Sequence, residues 1–210
     1  MRFSLEYFRE LLLRLPALLW AISFHEFCHG FAAKMVGDDT AERYGRLSLN
    51  PLHHFDLLGT IMLLFVGFGW AKPVPINSRY FKNPRRDLII VSLAGVIGNI
   101  LTAIITVLII KFVGLVRIYN FAGISGVKIL SNMIAINMGL AAFNLIPIPP
   151  LDGSRVLEAF LPYKYLHVYY WLERYGMIIL LVLLMTGIIN VLFDPIINLL
   201  WHLLPSIYAY

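Results

Sequence analysis

Residues 15–33 read Leu-Pro-Ala-Leu-Leu-Trp-Ala-Ile-Ser-Phe-His-Glu-Phe-Cys-His-Gly-Phe-Ala-Ala, 19 positions with one acid, Glu26, and no lysine or arginine. About 20 apolar residues cross the hydrocarbon core of a bilayer as a helix, so this stretch reads as a membrane span with titratable groups set inside it. Such groups cost on the order of 3 kcal/mol each in lipid and are functional suspects by default. Their spacing says more. On a helix, His25 and His29 stand about 40° apart and roughly 6 Å along the axis, so both imidazoles reach one metal ion. Glu26 projects about 100° from His25 and addresses a water beside the metal rather than the metal itself. This is the H-E-x-x-H arrangement, two zinc ligands and a general base. A buried glutamate beside two histidines has few cheap explanations without a cation. Cys28 lies on another helix face and reads as packing.

The rest of the chain agrees with a membrane setting. It has 210 residues, 60% hydrophobic and 14% charged, against about 25% charged in an average soluble domain. A soluble globule this small needs far more polar surface. An ordinary cytosolic enzyme, a disordered regulator and a nucleic-acid module are therefore excluded. The start shows no cleavable-leader pattern, and the single cysteine allows no internal disulfide. Further uncharged stretches run over 57–71, 88–110, 129–151 and 175–193. The expected fold class is an all-α polytopic membrane protein in one domain over 1–210. Its full spans fall at about 11–35, 88–112, 129–150 and 175–195, with a short or re-entrant segment at 57–71 and an apolar segment at 195–210. A small membrane-associated β element is expected from the turn and extended-chain signals of 38–56 and 70–80. Tyr and Trp near the span ends, such as Trp70, Tyr163 and Trp171, fit interfacial anchoring.

The net charge of +5 reads as loop charge rather than polyanion binding. Residues 72–86 hold Lys72, Arg79, Lys82, Arg85 and Arg86, and residues 152–174 hold Arg155, Lys164 and Arg174, which marks both loops as cytoplasmic. The 111–128 loop and the C-terminal tail read as external. The charges flanking the first span tie, so that helix is oriented by depth instead. At 15 residues, segment 57–71 rises only about 22 Å against a core of about 30 Å. If it dips in and returns, the N-terminus lies outside and the histidine pair sits in the cytoplasmic half.

Zinc needs a third protein ligand and an open position. Asp152, Glu158, Asp56, His53, His54, His167 and His202 are candidates. Asp152 stands out because it closes an apolar stretch in Asn-Leu-Ile-Pro-Ile-Pro-Pro-Leu-Asp-Gly (144–153). Prolines 147, 149 and 150 unwind the helix there, and a carboxylate at an unwound end followed by Gly153 can be steered into a metal site. A second metal site at His53, His54 and Asp56 is not expected.

At this point the sequence resembles the site-2 protease family (peptidase M50), the intramembrane zinc metalloproteases, in its small prokaryotic branch without a PDZ domain. The resemblance covers residues 20 to 160. It is carried by HEFCH (25–29), NLIPIPPLDG (144–153), SLNPLHHFDLLGT (48–60), GWAKPVPIN (69–77) and AGVIGN (94–99). Two departures are Val96 where proline is common and Ser154 where a second glycine is common. The resemblance implies one Zn2+ per chain held by His25, His29 and Asp152, with Glu26 as the catalytic base. It places Asn144 to hydrogen-bond the substrate backbone or the developing oxyanion. It also implies hydrolysis of a peptide bond in or near the transmembrane segment of a membrane-protein substrate. The substrate must be unwound first, and a sheet edge would hold it extended. The expected partners are that substrate and the lipid bilayer, with no nucleic acid. The expected location is a prokaryotic plasma membrane, multi-pass, with the site in the cytoplasmic half. The competing readings are an inactive metal-binding scaffold or transporter and a di-iron oxygenase, the latter disfavoured by six histidines with one H-x-x-x-H pair.

Overall fold

The structure, a computed structural model, describes residues 5–59 and 69–204. Seven α-helices are named here: α1 Leu5–Val36, a single turn α2 Thr40–Arg43, α3 Pro84–Val113, α4 Leu115–Asn144, α5 Asp152–Phe160, α6 Leu166–Thr186 and α7 Asn190–Leu203. Four helical stretches are long and apolar enough to cross a membrane: Phe8–Val36, Pro84–Val113, Leu115–Asn144 and Tyr163–Thr186. The protein is an all-α polytopic membrane protein. Phe112, Phe121 and Met185 are each more than four-fifths exposed, part of an apolar outer surface that suits contact with lipid.

Helix α3 is the most buried of the four spans and α6 the least. It packs on α1, α4 and α5. Val96, Ala103 and Val107 of α3 meet Ile134, Met138, Ala141 and Ala142 of α4 and Leu200 of α7 in the main core. Small residues at the α1–α3 seam bring the backbones close, as is usual where lipid removes the hydrophobic drive between helices. Thus Ala33 is fully buried and clusters with Val91 of α3, and a Cβ on Gly98 would lie 2.6 Å from Cys28 Sγ. Cys28 therefore packs against α3, as its helix face suggested.

The helix ends differ from the sequence expectation for identifiable reasons. Helix α1 begins at Leu5, carrying Arg9, Glu10 and Arg14 within it; Glu10 pairs with Lys128 of α4. Gly123, at φ 63° and ψ −167°, breaks α4 internally, a conformation open in practice to glycine alone. The fourth span starts nine residues before the expected 175 and stops at Gly187. That residue adopts a left-handed φ of 74°, its N–H bonds Leu184 O, and the N–H of Ile189 bonds Leu183 O. Residues 190–203 then form the separate helix α7 on α4.

Segment 57–71 lies largely outside the described residues. Its ends do not. A Cβ on Gly59 would fall 2.0 Å from Trp70 O, and Lys72 N–H donates to His54 O over 2.9 Å. The chain that leaves at Gly59 is back beside it at Trp70. The expected β element is corrected: among the described residues there is no strand. Residues 72–77 carry no regular secondary structure, and Pro73 and Pro75 lack the N–H groups a ladder needs.

Candidate metal centre

Helix α1 presents His25 and His29 one turn apart toward α3, and both are nearly inaccessible. Asp152 reaches them from the first turn of α5. Prolines 147, 149 and 150 cannot continue α4, so the chain turns through bonds from Ile146 N–H to Phe143 O and from Leu151 N–H to Ile148 O. Gly153 is pressed on that turn so closely that a Cβ would sit 2.2 Å from Leu145 O. The helix N-terminus also favours a carboxylate.

The three side chains converge. His25 Nε2 and His29 Nε2 are 2.9 Å apart, and Asp152 Oδ2 lies 3.1 Å from the first and 3.2 Å from the second. Each imidazole is oriented from behind. His29 Nδ1 donates to Val91 O at 2.7 Å, and His25 Nδ1 lies 3.2 Å from Asn99 Oδ1. With Nδ1 as the donor in both rings, two bare Nε2 lone pairs and a carboxylate oxygen face one another, a donor set that a bound cation would satisfy. Tetrahedral zinc with bonds of about 2.0–2.1 Å holds its ligand atoms about 3.3 Å apart, close to what the side chains already provide. The donor set therefore fits zinc.

The other predicted residues are placed differently. Glu26 stands outside the triad, its Oε2 accepting from Val74 N–H over 2.8 Å. Asn144 donates from Nδ2 to Leu140 O, one turn back on its own helix, over 3.0 Å. His53, His54 and His167 hydrogen-bond to the carbonyls of Gly45, Ser48 and Lys164. Among the described residues the His25–His29–Asp152 group is the one convergence of three ligating side chains.

Sequence reasoning assigned no role to Gly95, Asn99 or Val74. Gly95 of α3 lies against both rings: a Cβ there would be 2.6 Å from His25 Nδ1 and Cε1 and from His29 Nε2. The available signal was membership of two motifs already quoted, AGVIGN (94–99) for Gly95 and Asn99 and GWAKPVPIN (69–77) for Val74. Gly95→Ala forces rings or helix apart by roughly 0.8 Å to restore ordinary contact. Ligand distances tolerate only about 0.2 Å, so zinc affinity is expected to fall ~10- to 100-fold. Competition against a chromogenic chelator measures this, and native affinity in Gly95→Ala would refute the packing argument.

Similarity to known proteins is extensive. A family model described as Peptidase family M50 matches residues 113–187, which include the Asp152 turn. The chain is 39% identical over 183 residues to "Putative zinc metalloprotease YwhC" of Bacillus subtilis (strain 168), covering 86% of this chain and 84% of that protein. It is 30% identical over 195 residues to the similarly named Rip2 of Mycolicibacterium smegmatis, covering 89% and 71%. With Rip2 of Mycobacterium tuberculosis (strain ATCC 25618 / H37Rv) the identity is 28% over 180 residues, covering 81% and 66%. No solved structure matches.

Proposed function

The chain belongs to peptidase family M50, the site-2 protease family of zinc metalloproteases, and on that footing we propose that residues 1–210 act as one intramembrane endopeptidase domain. Its substrate is a membrane protein, cut in or near a transmembrane segment. The observation that carries this reading is the convergence of His25, His29 and Asp152 within a bundle whose outer faces are apolar. The metal ligands are His25, His29 and Asp152, the base is Glu26, and Asn144 is the substrate or oxyanion contact. Bound zinc supplies a Lewis acid for the scissile carbonyl and lowers the pKa of water enough for attack near neutral pH. Glu26 takes the proton from the attacking water and delivers it to the leaving amide nitrogen. Val74 N–H holds Oε2 of Glu26, which leaves Oε1 to face the water. Asn99 and Val91 O keep the imidazoles in the ligating tautomer. Asn144 would exchange its bond to Leu140 O for one to the substrate backbone.

The site belongs in the cytoplasmic half of a plasma membrane, with the N-terminus outside. Three contacts support this. Val36, at the end of α1, packs with Phe81 of the basic 72–86 loop. Arg85 of that loop stacks over Tyr163 of the second basic loop at 5.1 Å. Gly59 and Trp70 adjoin, in keeping with a dip that does not cross. Both basic loops and the C-terminal end of α1 thus share one face, which the positive-inside rule assigns to the cytoplasm.

The test uses purified protein in detergent micelles with a panel of single-span membrane proteins. Cleavage sites mapped by mass spectrometry should fall inside or at the edge of the spans. Activity should vanish with a zinc chelator and return with added zinc, at one zinc per chain. One tightly held zinc with no cleavage across the panel would favour a scaffold or transporter instead.

A further inference from the structure

Residues 72–77 form a strap tied to α1 and the residue after its end by two carboxylates. Val74 N–H donates to Glu26 Oε2 over 2.8 Å, and Asn77 N–H donates to Asp38 Oδ2 over 2.6 Å. Asp38 follows α1 and is fully buried. Its Oδ1 accepts from Thr40 N–H at 3.0 Å and from the Thr40 hydroxyl, so both oxygens are committed. Pro73 and Pro75 flank Val74, remove the neighbouring donors and fix their own φ angles. Over 73–75 the strap therefore has one N–H to offer, and it offers it to Glu26. The buried Val74 side chain rests on Gly30, where a Cβ would lie 3.2 Å from Val74 Cγ1. At the other end Lys72 N–H is held by His54 O, and Arg46 Nη2 donates to Lys72 O and Pro73 O.

A buried carboxylate is retained at a cost unless donors satisfy it, and one of the donors here is the far end of the strap. We propose that Asp38 is a positioning residue for the peptidase reaction: by fixing Asn77 it holds the strap in register, and through Val74 N–H the strap fixes the carboxylate of Glu26. This rests on the reading of Glu26 as the base.

Asp38→Asn in the full-length protein tests it, because the amide keeps the shape but turns a donor toward one of its donors. With a cleavable single-span substrate, kcat is expected to fall ~10-fold or more, the scale of a displaced catalytic group. KM should stay within about twofold, with one zinc still bound. Deuterium exchange of the Val74 and Asn77 amides should quicken ~10-fold, since their bonds now open locally; a merely structural role would not combine that local change with a kcat-only loss. A native kcat overturns the proposal, and so does a lowered kcat with strap exchange unchanged. If Asp38→Asn does not accumulate folded with zinc, the Pro73→Ala, Pro75→Ala double variant decides. It loosens the strap while leaving Asp38 and the metal ligands in place, and native kcat in it overturns the proposal. Should the native protein cut nothing, the functional reading fails, while the exchange comparison still reports whether Asp38 holds the strap.

Discussion

Glu26→Gln is expected to lower kcat on a cleavable single-span substrate by ~10³-fold or more, with zinc still bound at one per chain. Glutamine keeps the length of the side chain and an oxygen that accepts from Val74 N–H. What it loses is the capacity to take a proton from water, and proton transfer by a placed side chain contributes about 10²- to 10⁴-fold. The metal triad is untouched because Glu26 lies outside it. Single-turnover kinetics with metal analysis on the same preparation separates the two effects. Activity above a tenth of native would remove Glu26 from the chemistry, and loss of zinc would move it into the ligand set.

Asp152→Ala should act in the opposite order, with the metal lost first. The carboxylate is the one anionic member of the triad, within 3.2 Å of both imidazole nitrogens, and without it two neutral nitrogens remain. Changes behind a ligand already cost about 10- to 100-fold in affinity, so removal of a ligand is expected to cost ~10³-fold or more. Zinc occupancy after dialysis against a buffered metal concentration reads this directly, and cleavage should fall with it. Unchanged affinity in Asp152→Ala would place the third ligand elsewhere.

The parts of the centre legible in the sequence were those carried by short-range spacing. Four residues on one helix bring His25 and His29 together whatever surrounds them. Prolines 147, 149 and 150 with Gly153 mark an unwound end in any fold. Gly95, Asn99 and Val74 were not legible as site residues because their roles exist only where α3 and the strap pack on α1, and no local period encodes that packing. Helix limits differ from the uncharged stretches for a related reason. Uncharged stretches report where lipid begins, whereas a helix continues until its backbone is interrupted. Glu173 and Arg174 sit inside α6, with Arg174 stacked over the Tyr175 ring at 5.8 Å, and Gly187 rather than a charge ends it. The strap's irregular backbone was visible in its prolines, and those same prolines keep it from being a strand.

Asp152, the proposed third ligand, stands 123 positions along the chain from His29. During synthesis the histidine pair is made first, and Asp152 can join it only after the ribosome has passed that residue and α5 has folded back. An ion held by all three side chains would therefore join an early part of the chain to a late one, and the centre would be complete only once the bundle has closed.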